Sequence, residues 1–166
     1  MAILDIRLYP DPVLRKSCKL LSQEELVSST IQNLIEDMVE TLYSHPGTVG
    51  ITAPQVGMPV RLIVMDVTVK TDRNRFKVLI NPVISYQSQW KYSREGCLSF
   101  PDYLVTVKRA RKISSSWLSV QGNSCTDDFR DFEAIVLQHE LDHLDGILFI
   151  DRVKNIQTDL LYRNQG

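Results

Sequence analysis

Two histidines four residues apart, His139 and His143, with Glu140 between them, are the residues of this 166-residue chain whose types and spacing most clearly suggest chemistry. On a helix, side chains four apart project from one face, so the two imidazoles would form a two-point clamp for a divalent ion. Imidazole pairs suit Zn²⁺, Fe²⁺ and their neighbours, and a carboxylate beside them can take a proton from a water the ion holds. Phe132, Ile135 and Val136 recur just before them at helical spacing, which predicts a buried helix. Burial makes the His and Glu side chains costly unless they find partners. A catalytic ion takes three protein ligands and leaves one position open. The candidates for the third are Cys97, Glu95, Asp142 and Asp145. Cys97 stands out because Gly96 and Leu98-Ser99 set it in a tight, backbone-exposing turn.

The elements that must carry these residues can be read in order. The length suits one domain, residues 1–166, with enough material to bury a core without disulfides. Pro10 and Pro12 predict an extended arm over 8–15 with no helix in it. Ser22 and Glu25 have the form of a capping box, and Ile31, Leu34, Ile35, Met38 and Leu42 predict an amphipathic helix of about five turns, stopped by His45-Pro46-Gly47. Residues 47–57 form a low-volume loop ending near Gln55, with the pattern of neither a P-loop nor a dinucleotide fingerprint. Strands are predicted at 60–67, 76–80, 83–86, 90–94, 103–107 and 113–120, with a hairpin tip at 72–74, a break at Asn81-Pro82 and a turn at Gly122-Asn123. Gly146 caps the histidine helix, and residues 159–162 are expected to close the chain as one short helix. Strands in runs with two long helices predict an α+β fold.

Composition excludes several classes. With 19 Lys and Arg against 20 Asp and Glu, there is no basic field for nucleic acid, and the cluster Lys108-Arg109-Ala110-Arg111-Lys112 reads as a strand end. No apolar run approaches the ~20 residues of a membrane span. The first residues lack the order of a secretory signal, so a cytoplasmic location is expected. Cys18, Cys97 and Cys125 cannot all pair and none is spaced as CxxC, which fits a reducing compartment.

Three motifs together are more specific than any one. Gly50-Ile51-Thr52-Ala53-Pro54-Gln55, Glu95-Gly96-Cys97-Leu98-Ser99 and Gln138-His139-Glu140-Leu141-Asp142-His143, in this order and with these separations, resemble the signature motifs of peptide deformylases. The resemblance runs from the Pro-Asp-Pro arm to Asp151-Arg152-Val153. It implies an α+β fold of antiparallel β-sheets packed around a central HExxH metal-binding helix, with an N-terminal amphipathic helix. It implies that Cys97, His139 and His143 ligate one divalent ion, Fe²⁺ foremost, with Zn²⁺, Ni²⁺ or Co²⁺ able to replace it. Glu140 would be general base and then general acid, and the Gln55 amide and the Leu98 backbone N–H would stabilise the oxyanion. Gly50 would pair with the substrate as an added strand, and Val49, Ile135 and Val136 would line the pocket for its methionine side chain. Glu95 joins the substrate-site residues by pairing with Arg109 behind the site, where Asp142 would also sit without ligating.

The implied reaction is hydrolysis of the N-formyl group from the initiator methionine of nascent proteins, releasing formate. The implied partners are those nascent peptides and the ribosome, although the tail after Val153 is short compared with relatives that dock there by a C-terminal helix, with no direct contact to nucleic acid or membrane. Three positions depart from the family pattern. Thr48 and Thr52 replace smaller residues and are expected to thicken the wall near the substrate strand. Leu104 replaces a basic side chain, so longer peptides are expected to rely on backbone and apolar contacts. The rival readings are a zinc peptidase, disfavoured because no histidine follows His143, and a silent member that keeps the metal for folding, disfavoured because only three ligands are found.

Overall fold

The computed structural model describes residues 2–72 and 74–163. Five strands hydrogen-bond in sequence order and a sixth joins from the side, so the described residues form one six-stranded sheet rather than several. All its pairings are antiparallel. The strands are β1 (Gly50–Thr52), β2 (Leu62–Met65), β3 (Lys77–Cys97), β4 (Phe100–Leu118), β5 (Ser124–Arg130) and β6 (Leu160–Tyr162). The helices are α1 (Gln23–Leu26), α2 (Ser29–Ser44), α3 (Asp131–Leu144) and α4 (Ile156–Asp159). None of the described helices is long and apolar enough to cross a membrane.

One helix covers each face of the sheet's first strands, which explains the unbroken apolar run Leu62-Ile63-Val64-Met65. Successive strand residues point to opposite faces. Leu62 and Val64 therefore pack with Ile31, Ile35, Met38 and Leu42 of α2. Ile63 and Met65 pack with Ala134, Val136, Leu137 and Leu141 of α3. A strand buried on both sides has no polar face to show.

Several boundaries differ from the sequence reading. The capping box at Ser22 and Glu25 is present, but it opens the four-residue turn α1, and a second cap at Ser28 starts α2. The Ser28 hydroxyl donates to the Glu25 carbonyl at 2.6 Å, so the chain is re-aimed between the two. Asn81-Pro82 does not end a strand. Asn81 takes φ +52° and its amide exchanges two hydrogen bonds with the Leu21 backbone, letting β3 continue through a bulge. Of the expected hairpin tip at 72–74, Arg73 lies outside the described residues. The arm holds a 3₁₀ turn at Pro12–Arg15, since proline is well accommodated in a first helical turn. Residues 124–130, passed over from sequence, form β5, and the expected closing helix at 159–162 is instead the end of α4 followed by β6.

The outer edge of β4 is closed in three ways. β6 pairs with Tyr103–Val105 and β5 with Lys112–Leu118. Between them the Gln138 side chain acts as a strand partner, accepting from the Ala110 N–H at 2.9 Å and donating to its carbonyl at 2.7 Å. That amide fixes α3 against β4 one residue before His139.

A candidate metal centre

The site is assembled from the β3–β4 turn and α3. Cys97 pairs with Phe100, so Leu98-Ser99 is a two-residue hairpin loop with Cys97 at the tip of the incoming strand. Residues 134–144 of α3 are all buried, and the histidines emerge on the side facing that turn. The Sγ of Cys97 lies 3.4 Å from Nε2 of His143. One ligand atom each from Cys97, His139 and His143 falls within a 4.8 Å cluster. A thiol and two imidazoles suit a divalent transition ion, and three ligands leave its fourth position open.

The other candidates for third ligand are engaged elsewhere. Asp145 is an exposed partner of Arg61 at 2.9 Å. Glu95 accepts both arms of Arg109, at 2.8 and 3.0 Å, and its Oε1 also meets Nδ1 of His139 at 2.7 Å. Arg109 reaches onward to Asp142 at 2.6 Å, which also receives Arg152. This charged chain, His139–Glu95–Arg109–Asp142–Arg152, ties β3, β4, α3 and the segment after it together. It holds the His139 ring by Nδ1, leaving Nε2 for an ion.

The two buried glutamates are tuned in opposite directions. Burial alone would raise Glu95, but its hydrogen bonds to His139 and Arg109 win and hold it down at about 2. Burial pushes Glu140 up to about 7, and the neighbouring Glu95 charge adds to the push. Among the described residues, Oε2 of Glu140 is buried with no hydrogen-bond partner. Burial and the charges of His139 and Arg109 keep His143 neutral, the form in which imidazole ligates. His139 moves the other way: burial is outweighed by Cys97 and Glu95, which favour its protonated form, so an ion must displace that proton.

Gly50, on the free edge of β1, faces Glu140 closely: a Cβ there would lie 2.8 Å from its Oε1. Gln55 follows in a 3₁₀ turn and is fully buried. Its Nε2 lies 3.7 Å from Cys97 Sγ and 3.2 Å from Ser99 Oγ, while its Oε1 accepts from the Thr52 N–H at 3.0 Å and the Thr52 hydroxyl at 3.1 Å. The two donors on Oε1 determine that the NH₂ end faces Cys97 and Ser99. Thr52 is thus not the thickened wall expected of it; it is buried and orients Gln55. The N-terminal arm supports both halves of this arrangement, with the Arg7 N–H donating to the Gln55 carbonyl at 2.7 Å and Tyr9 N–H to the Ser99 carbonyl at 3.0 Å.

A cavity of about 590 Å³ opens onto Cys97, His139 and Glu140. Every residue predicted for the site lines it except His143, and it is entered past Thr48, Val49 and Gly50 on one side and Arg94, Gly96 and Leu98 on the other. Ile135 and Val136 share its apolar wall with Phe132. Sequence reasoning missed the positioning by Thr52, Ser99 and Gln138, although a glutamine amid apolar helix positions was a readable signal. It also missed four cations on the cavity wall: Lys70, Arg94, Arg111 and Arg163.

Known proteins match this architecture closely. The family model described as polypeptide deformylase matches residues 3–159. A peptide deformylase of Desulfotalea psychrophila is 42% identical over 163 residues, covering 96% of this chain and 93% of that protein. The crystal structure of the Thermotoga maritima peptide deformylase superposes with a TM-score of 0.85 at 36% identity, covering 93% of this chain and all (100%) of that one. A peptide deformylase of Acinetobacter baumannii, solved with Met-Ala-Ser bound, gives a TM-score of 0.83 at 32% identity over 92% of this chain and 99% of its own.

Proposed function

Because this chain belongs to the peptide deformylase family, metal-dependent enzymes that remove the N-formyl group from nascent peptides, we propose that its cavity carries out that reaction with Cys97, His139 and His143 as ligands of one divalent ion. The observation that carries this assignment is the convergence of three ligand atoms within 4.8 Å beside a buried carboxylate with a free oxygen. We read α3 as the central HExxH metal-binding helix and residues 1–166 as one catalytic domain acting in the cytoplasm. Fe²⁺ is the first choice of ion, with Zn²⁺, Ni²⁺ or Co²⁺ as substitutes; a thiolate with two imidazoles suits each of them.

When bound, the ion would supply Lewis acidity, making the attacking water acidic enough to lose a proton near neutral pH. Glu140 takes that proton with its free oxygen as the water oxygen adds to the formyl carbon. It returns the proton to the peptide nitrogen as the formyl C–N bond breaks, leaving formate and a free amino terminus. Negative charge grows on the former carbonyl oxygen, where the Gln55 NH₂ and the Leu98 N–H donate. The peptide pairs as an added strand with the free edge of β1 at Gly50, and its methionine side chain enters the apolar wall of Val49, Phe132, Ile135 and Val136. The Met-Ala-Ser complex of the Acinetobacter baumannii relative supports a peptide of this kind in the cavity. The reading extends to contact with the ribosome, from which such chains emerge.

The test is formate release from formyl-Met-Ala-Ser by metal-loaded protein, with acetyl-Met-Ala-Ser as control. Release is expected to track bound metal and to vanish with the acetyl peptide. Metal-loaded protein that releases no formate would overturn the assignment.

A further inference from the structure

Beyond the metal centre, the charged side chains on the cavity wall are all of one sign. Although the chain as a whole carries a net charge of −1, its acidic lining residues are only Glu95 and Glu140, and both belong to the site. Glu95 is saturated by Arg109 and His139. Opposed to these stand Lys70, Arg94, Arg111 and Arg163. None of the four has an ion-pair partner among the described residues, whereas ten such bridges occur elsewhere, from Arg7–Asp11 to Arg152–Asp142. Unpaired cations are common on the described surface, but four of them line this one space, with no acid beside them except the two site glutamates.

Their placement matches a peptide's course. Lys70 follows β2 on the β1 side of the groove, while Arg94 lies on β3, on the opposite bank. Arg163 bends over Gly96, its Nη2 3.4 Å from where a Cβ would sit, a point that the Leu104 side chain approaches as closely. It thereby restores positive charge beside the position where the sequence had suggested its loss. Arg111 is half-buried near the start of α3, since its neighbour Lys112 pairs with Arg130. Its Nε is buried without an acceptor among the described residues. A buried guanidinium nitrogen without an acceptor calls for one from a ligand, and carboxylates fit Arg best.

Resting on the deformylase reading above, we propose that this groove selects formyl peptides with acidic side chains at the residues following the formyl-methionine. The carboxylates would enter a space with cations on both banks and no competing acid, so selectivity appears in binding and in its salt dependence rather than in the chemical step. Solvent-exposed pairs contribute little each, so two carboxylates among four cations should lower KM by about 3–10-fold at low ionic strength.

The experiment compares formyl-Met-Asp-Glu, formyl-Met-Ala-Ser and formyl-Met-Lys-Arg, all as C-terminal amides so that only side-chain carboxylates differ. The acidic peptide should show the lowest KM, and the advantage should shrink to under about twofold near 1 M salt, where screening reaches ~3 Å. Calorimetry with the products Met-Asp-Glu-amide and Met-Ala-Ser-amide should show the same order without turnover. Lys70→Gln and Arg94→Gln, both exposed side chains, should each bring the acidic-to-neutral ratio toward one. A ratio near one in the unaltered protein, or preference for the basic peptide, overturns the proposal while leaving deformylation intact. Failure to turn over any of the three by metal-loaded protein overturns the deformylase reading and this proposal with it.

Discussion

The two long helices bury the two faces of the same strands with different material. α2 presents Ile31, Ile35, Met38 and Leu42 to the sheet, with Thr41 as its only buried polar side chain. α3 buries Gln138, His139, Glu140, Asp142 and His143 among its apolar residues. Apolar burial stabilises without regard to direction, so α2 needs only the right stripe and volume. A buried polar group stabilises only when its partner sits at the right place, so α3 is fixed by Gln138 on Ala110 and by Arg109 on Asp142. Glu140 and His143 depart from that rule, with Oε2 of the first and Nδ1 of the second unpaired among the described residues. The difference teaches where the proposed reaction would sit: on the helix whose packing is specified by hydrogen bonds.

Substitutions in α3 and its turn should separate activity from folding, and the largest effect comes first. Cys97→Ala should leave a folded protein without stoichiometric metal and without measurable formate release, read by metal analysis beside the assay. Glu140→Gln should keep the metal and lower kcat by roughly 10²–10⁴-fold, the span typical of a lost general acid–base group. Normal turnover by this variant would end the assignment of Glu140 and with it the contrast between the helices.

Arg109→Met tests the network itself. It leaves the carboxylates of Glu95 and Asp142 buried against an apolar chain, and breaking a buried pair this way costs about 3–5 kcal/mol in denaturant unfolding. The glutamates add a pH signature in the metal-free protein. Glu95 is lowered from 4.5 to about 2, so the stability it contributes is complete above pH 4.5 and is lost as pH falls through 2. Glu140 is raised from 4.5 to about 7, so its contribution is complete below pH 4.5 and is lost as pH rises through 7. Metal should therefore stabilise the protein more at pH 8 than at pH 5, since the cation then meets an ionised Glu140 and has fewer protons to displace from the site. Equal metal-induced shifts in melting temperature at the two pH values would contradict this account.

In α2, Met38→Ala should cost about 2–5 kcal/mol of stability, as truncation of a fully buried side chain does, yet leave kcat of the folded protein unchanged. A loss of kcat at constant metal content would mean that the faces are coupled through β1 and β2.

Legibility followed the same division. Local signals marked the clustered side chains well: the i, i+4 histidines, Cys97 beside a two-residue turn and Gly146 after α3, at φ +72° against the Arg15 carbonyl, all sit as their types suggest. Partners distant in sequence were not legible. Asn81 reads as a strand break until Leu21, 60 positions away, receives its amide. Gln138 reads as a helix polar residue until Ala110 is beside it. Leu104 reads as a loss of charge from the groove until Arg163, from β6's end of the chain, comes to the same spot. Ser93–Arg94 and Arg111 were passed over because a cation in a β-strand has no local mark of what its face encloses.

The smallest expected effect concerns Thr52, where the contrast between the helices extends to a single hydroxyl. It touches no metal ligand and is fully buried; its hydroxyl and its N–H both donate to Oε1 of Gln55. Thr52→Val keeps the volume and removes one of those donors, leaving the N–H alone to hold the amide's orientation. A neutral hydrogen bond contributes about 1 kcal/mol, so kcat should fall by roughly 2–5-fold with KM and metal content unchanged, and Thr52→Ser should restore it. A structural role alone would lower the melting temperature and leave kcat as it was, because Gln55 would still present its NH₂ to the substrate oxygen. The split between kcat and stability thus decides whether the hydroxyl serves the reaction or only fills the core.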